Sequence, residues 1–303
     1  MTVTYRVSHR TNYRYRNEVS HSYSQLHVLP RELAHQHCRA TDVTIVPEPD
    51  DYRERTDFFG NRVAYCAIDG PHRELTVTAV SMVEVGDHPG SLPLFTDQPW
   101  ERARDELRER VDPAAADATQ FALDSPLVGA SAALSDYASS SFTGGRRLVD
   151  AIADLASRIH GDFAYTPGAT SVTTTLEEFF TERCGVCQDF AHLAIGCFRS
   201  VGLAARYVSG YLETDPPPGR PKLAGADRSH AWASVFVPDA GWVDIDPTND
   251  QFLNDRYITN AWGRDYADVP PISGVIYTEG GPATLEVQVD VTALPGSDGG
   301  GLR

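Results

Sequence analysis

Between Glu182 and Thr248 the sequence changes rhythm in a way that few folds accommodate. A helical stretch opens at Cys187 and runs to Val201, stopped by Gly202, with Phe190, Ala194, Cys197 and Phe198 among its apolar positions. Residues Ala205 to Tyr211, Ala231 to Val237 and Trp242 to Ile245 then read as strands. The turn Pro238-Asp239-Ala240-Gly241 folds the last two into a hairpin. A helix followed by an antiparallel run of strands predicts an α+β unit in which the helix covers the sheet.

The rest of the chain is organised around this unit. Residues 1–97 read as an all-β, sandwich-like N-terminal domain. Val3, Tyr5 and Val7 alternate with polar residues, as do Val43 and Ile45, and the clearest strand runs from Leu75 through Met82 and Val85. Pro47-Glu48-Pro49-Asp50, Phe59-Gly60-Asn61 and Asp69-Gly70-Pro71 supply turn chemistry between them. Trp100, Ala103, Leu107 and Val111 lie at helical spacing with Asp97 as a cap, and Pro113-Ala114-Ala115-Ala116 follows as a connector. Leu148, Ile152, Leu155 and Ile159 mark a second helix ending near Gly161. The expected core domain is 98–250. An irregular stretch and a terminal strand with Leu285, Val287, Val289 and Val291 on one face occupy 251–292, and 293–303 is a disordered tail.

Charge narrows the partners. The formal net charge is −16, from 42 acids against 26 bases, so a phosphate backbone is repelled on average and nucleic acid is a poor partner. The longest apolar runs are only a few residues, so no membrane span is expected. The N-terminus reads as a strand and not as a secretory signal, and the five cysteines have no disulfide-framework spacing. A cytoplasmic protein follows.

Three residues carry the expected chemistry. Cys187 follows Gly185 at a helix start, where unpaired N–H groups and the helix dipole favour thiolate, and the glycine leaves room for a substrate backbone. Cys197, mid-helix at an apolar position, reads as core. A thiolate nucleophile needs a base, and His230 begins the strand that follows, on one face with Trp232, Ser234 and Phe236. An imidazole needs a third group to fix its tautomer. Asp246, at the end of the next strand, and Asp244, with the same facing, both qualify.

The segments Gly185-Val186-Cys187-Gln188-Asp189-Phe190-Ala191-His192, His230-Ala231-Trp232 and Trp242-Val243-Asp244-Ile245-Asp246-Pro247-Thr248 together resemble the bacterial transglutaminase-like family, whose members are often described as candidate cysteine proteases. Arg206-Tyr207-Val208-Ser209-Gly210-Tyr211, Leu29-Pro30-Arg31, Asp57 to Asn61, Pro71 to Leu75 and Gly263 to Pro271 extend the resemblance to most of residues 1–292. It implies a papain-like, transglutaminase-like core, with Cys187 as nucleophile, His230 as general acid–base and Asp246 as orienting carboxylate. It implies neither metal nor organic cofactor. The Cys187 N–H is one oxyanion donor. No tryptophan lies between Trp100 and Cys187, and by its place in the family pattern Tyr165 is the implied candidate for the second; Gln188 and Trp232 are further groove candidates. Asp189 and His192 are expected to support the site.

The implied reaction is acyl transfer from an amide in a peptide or protein substrate, with water preferred to an amine as acceptor. The alternatives are protein–glutamine transamidation and a non-catalytic binding module on the same fold. Cys184 and Cys187 form a Cys-x-x-Cys, but a redox role leaves His230 and Asp246 unexplained. His35-Gln36-His37-Cys38 offers crowded metal-type ligands and reads as a surface loop. The loop from Thr214 to Pro221 is expected to overhang the groove.

Overall fold

A computed structural model of the chain describes residues 2–86, 98–110, 112–214 and 227–295. In chain order its elements are β1 (Val3–Leu26), β2 (Gln36–Val46), β3 (Asp51–Thr56), β4 (Arg62–Val85), α1 (Trp100–Glu109), α2 (Pro113–Ala118), α3 (Ala132–Ser139) and α4 (Leu148–Asp162). Then come β5 (Ala164–Tyr165), α5 (Leu176–Glu182), β6 (Cys184–Gly185), α6 (Cys187–Ser200), β7 (Ala205–Leu212), β8 (Ser229–Val237) and β9 (Gly241–Asp246). Four strands close the chain: β10 (Gln251–Phe252), β11 (Tyr257–Gly263), β12 (Ile272–Thr278) and β13 (Ala283–Ala293). Among the described residues no helix is long and apolar enough to cross a membrane.

β1 and β4, 24 residues each, pair antiparallel along most of their length and form the spine of a six-stranded sheet. Every second residue from Leu75 to Val85 is buried, the period-two signature of a half-buried strand. Asp69-Gly70-Pro71 does not turn the chain as expected. Asp69 pairs with His21 and His72 with Val19, so Gly70 and Pro71 fall in a register shift, where a residue without an N–H breaks no ladder bond. The flanking strands change at this irregularity. β13 and β2 border one half of the spine, β12 and β3 the other. Leu26, Ala64, Cys66 and Ile68 from one half meet Leu75, Val77, Ala79 and Ile45 in a single apolar cluster, so the sheet folds back on itself like a sandwich.

The second sheet has the order β10-β9-β8-β7-β11, all antiparallel. α6 lies across it: Leu193, Ala194, Cys197 and Phe198 share one cluster with Ala205, Ala231, Ala233 and Val235, while α4 adds Ile152, Leu155 and Ile159 from the far side. Hence Cys197 is core, and burial pushes its thiol up to about 12. α1 begins at Trp100 behind Pro99; Asp97 and Val111, assigned to this helix from sequence, lie outside the described residues. Most of the 214–221 loop and residues 296–303 of the expected tail also lie outside them, whereas β13 continues to Ala293.

β11 joins the two sheets. The side-chain amide of Gln36 donates to the carbonyls of Arg31 and Thr259 and accepts from the Thr259 N–H. Asn61 exchanges two hydrogen bonds with the backbone of Trp262, whose ring is stacked by Arg31 and Arg206 at 3.4 and 3.6 Å from its centroid. The segment at His35–Cys38, expected as a surface loop, therefore opens β2 with Gln36 buried at the junction. His37 contacts Glu32, and the Cys38 sulfur lies 3.0 Å from the Thr41 hydroxyl.

Candidate active site

Cys187 is the first residue of α6, with Val186 as its N-cap. Valine offers no acceptor, and the capping is done by Asp189, whose Oδ2 accepts the Val186 N–H at 2.8 Å and the Thr170 hydroxyl at 2.6 Å. Burial raises the Asp189 carboxyl's pKa, against these hydrogen bonds. Gly185 has a different reason from the one expected. A Cβ there would lie 2.5 Å from Asp189 Oδ2 and 2.8 Å from the Phe179 ring, so the glycine makes room for the cap and not for a substrate. Gly185→Ala should destabilise the fold by about 2 kcal/mol through overpacking. An unchanged urea midpoint would remove that explanation.

The imidazole arrives from the second residue of β8. His230 Nε2 donates to Asp246 Oδ2 at 2.7 Å, and the ring shares one cleft with the Cys187 thiol. With Nε2 committed to the carboxylate, Nδ1 is the nitrogen left for sulfur. Burial alone would lower the pKa of His230. The charge and hydrogen bond of Asp246, helped by Cys187, outweigh burial and push it up to about 10.

Asp246 is fully buried and saturated with donors. Its Oδ2 accepts from His230, from Asn249 Nδ2 at 2.7 Å and from the Tyr257 hydroxyl at 2.7 Å; its Oδ1 accepts the N–H groups of Thr248 and Asn249. Burial would raise its pKa, but the His230 charge and these bonds hold it below the usual carboxylate value. Asp244 does not reach the imidazole and sits instead beside Arg206. Asn249 and Tyr257 were missed in the sequence. The Asp-Pro-Thr-Asn turn could have pointed to Asn249, while Tyr257 had no local signal.

A cleft of about 280 Å³ opens onto the sulfur, lined by Tyr165, Cys187, Gln188, Tyr207, His230 and Val287 among others. A second hollow, of about 300 Å³, touches His230 on another side, with Tyr165, Arg228 and Asn249 in its wall. Tyr165 is held there by a two-residue parallel ladder between β5 and β6, extended by Thr166 N–H to Gly185 O at 2.8 Å. Burial raises the pKa of its phenol and the neighbouring Cys187 adds to the rise, against Arg228. Trp232 is not in the groove. It is wholly buried behind the imidazole, edge-on to Tyr257 at 5.4 Å between ring centroids. His192 is also behind the site. Burial pushes its pKa down to about 4, and its neutral Nε2 accepts the N–H of Tyr266, which lines the cleft.

A half-buried thiol beside an imidazole that is oriented by a buried carboxylate, all at the mouth of a cleft, is the equipment of a cysteine-dependent enzyme. Residues 5–84 match the bacterial transglutaminase-like N-terminal region and residues 136–247 match the transglutaminase-like superfamily. A protein of Mycobacterium tuberculosis is 45% identical over 306 residues, covering 97% of this chain and 94% of its own length. The protein-glutamine gamma-glutamyltransferase of Pseudomonas aeruginosa is 35% identical over 101 residues, 32% of this chain and 15% of that one. A crystal structure from Cytophaga hutchinsonii, described as a candidate cysteine protease, superposes with a TM-score of 0.76 at 19% identity, covering 97% of this chain and 92% of that one. The chain belongs to the bacterial transglutaminase-like family.

Proposed function

We propose that the protein catalyses thiol-dependent acyl transfer on amide bonds of a peptide or protein substrate, with water as the preferred acceptor. The observation that carries this reading is that Cys187 and His230 face the same cleft, with the imidazole held by Asp246 at 2.7 Å. In this reading the Cys187 thiolate attacks the scissile carbonyl, and the Cys187 N–H with the Tyr165 hydroxyl steadies the oxyanion. The His230 imidazolium then gives its proton to the departing amine, leaving a thioester on sulfur. Neutral His230 next draws a proton from water as that water attacks the thioester, and the acid and free thiol are released. A primary amine in place of water gives transamidation by the same steps.

The test is a pH series of iodoacetamide labelling on the native protein, with Cys187→Ala and His230→Ala variants. Cys187 should label faster than Cys197 at neutral pH, and His230→Ala should slow it by at least about tenfold. Slow labelling that ignores the histidine change would leave a binding module as the better reading.

A further inference from the structure

Among the described residues β13 is an edge strand, laddered with β1 from Tyr5–Ala293 to Tyr15–Ala283. Leu294 donates its N–H to Thr4 O at 2.8 Å, and Pro282 O accepts the N–H of Arg16 at 3.2 Å, so the even-numbered residues turn their backbone groups toward β1. Those of Ala283, Leu285, Val287, Val289 and Val291 therefore point to the opposite edge. Two of these positions are in use. Asp227 Oδ2 accepts the Val291 N–H at 2.7 Å, and Asp227 forms a β-bridge with Val289. Among the described residues no strand covers the edge from Ala283 to Val287.

The edge that the described residues leave uncovered runs into the site. Val287 and Val289 line the same cleft as Cys187 and His230. Val289 and Val291 bury one face of β13 against Tyr211 and Ile258, and Leu285 and Val287 continue that face while 57% and 46% exposed. An open edge with exposed apolar side chains invites a pairing strand.

We propose that the 283–287 edge of β13 is the docking rail for the substrate. An extended peptide adds to it as a strand, exchanging main-chain hydrogen bonds with Leu285 and Val287, and its onward course carries the scissile carbonyl to Cys187. The inference rests on Cys187 being the nucleophile. Main-chain pairing supplies affinity for peptides in extended form, and Leu285 and Val287 favour apolar side chains at alternate positions.

Two thiol probes separate this inference from the reading beneath it: iodoacetamide, which has no backbone to pair, and acetyl-Val-Thr-Val-Gly chloromethyl ketone. The peptide probe should alkylate Cys187 with saturation. Its second-order rate should fall by about tenfold both on backbone N-methylation of its inner residues and in Val287→Pro, the size expected for one main-chain hydrogen bond. The Val287 N–H bonds nothing in β1, so proline there breaks no existing rung. Should circular dichroism show the variant unfolded, the methylated probe on the native protein decides alone. Equal rates for methylated and unmethylated probes would overturn the inference. So would a dimer in sedimentation that Val287→Pro dissolves, because the edge would then belong to a second copy. Failure of iodoacetamide to prefer Cys187 to Cys197 would remove the nucleophile, and the rail with it.

Discussion

Asp246→Asn is expected to lower kcat on an amide substrate by on the order of 10⁴-fold while leaving the cleft in place. The carboxylate accepts three donors on one oxygen and two on the other. An amide must set its own NH2 against one of those groups. If it faces His230, the Nε2–H loses its acceptor and the ring can flip its tautomer away from sulfur. If it faces the turn, the Thr248 and Asn249 N–H groups lose theirs. The same change removes what holds the His230 pKa near 10. In the proposed mechanism the proton donor to the leaving amine is lost as pH rises through that value. In the variant that alkaline limb should move toward neutrality, because the group that raised the pKa is gone. Stopped-flow or steady-state pH profiles of kcat read both effects. A drop smaller than about tenfold with an unmoved alkaline limb would mean that Asp246 does not orient the imidazole.

Arg199→Ala should be the most damaging single change for stability, at about 3–5 kcal/mol. Near the end of α6 its guanidinium is buried and donates to Phe121 O, Ser125 Oγ, Val128 O, Ala205 O and Arg264 O at 2.6–3.2 Å. One side chain thus ties α6 to the segment before α3, to the first residue of β7 and to the chain after β11. Burial lowers its pKa to about 10, with Asp265 opposing the fall, so it stays charged at neutral pH. Truncation strands several carbonyls without a donor. Arg199→Lys should recover only part of the loss, because one ammonium cannot span acceptors set around a planar fork. Urea denaturation measures both, and a loss under about 1 kcal/mol for the alanine variant would sink this account.

Local rhythm disclosed the elements that bury one face against a near neighbour. The α6 helix, the β8–β9 hairpin and the 75–85 strand all declare themselves through spacing, and so the Cys, His and Asp segments were visible before any coordinates. Pairing partners were not. β11 (Tyr257–Gly263) mixes Thr, Asn and Gly with apolar residues because both of its faces are enclosed, so it shows no alternation. With β11 unseen, Tyr257 could not be connected to Asp246. Trp232 was misplaced for the same reason. Alternation correctly puts it on the face of His230, but Tyr257 covers that face, and the indole packs behind the imidazole instead of beside the substrate. Gly185 shows the limit in another form. A glycine before a nucleophile suggests room for a ligand, and only the positions of Phe179 and Asp189 reveal that the room is already taken.

The pairing of β1 with β13 joins Tyr5 to Ala293, nearly the whole length of the chain apart. Translation delivers β1 long before β13, so β1 waits with one side uncovered until β13 emerges. The thiol, the imidazole and the carboxylate all emerge earlier, while the wall that Val287 and Val289 give their cleft does not exist until the final strand docks. On the proposed reading, a nascent chain in which β13 has not yet docked carries Cys187 without a completed seat for a polypeptide, and unfolded segments nearby are spared until that strand is in place.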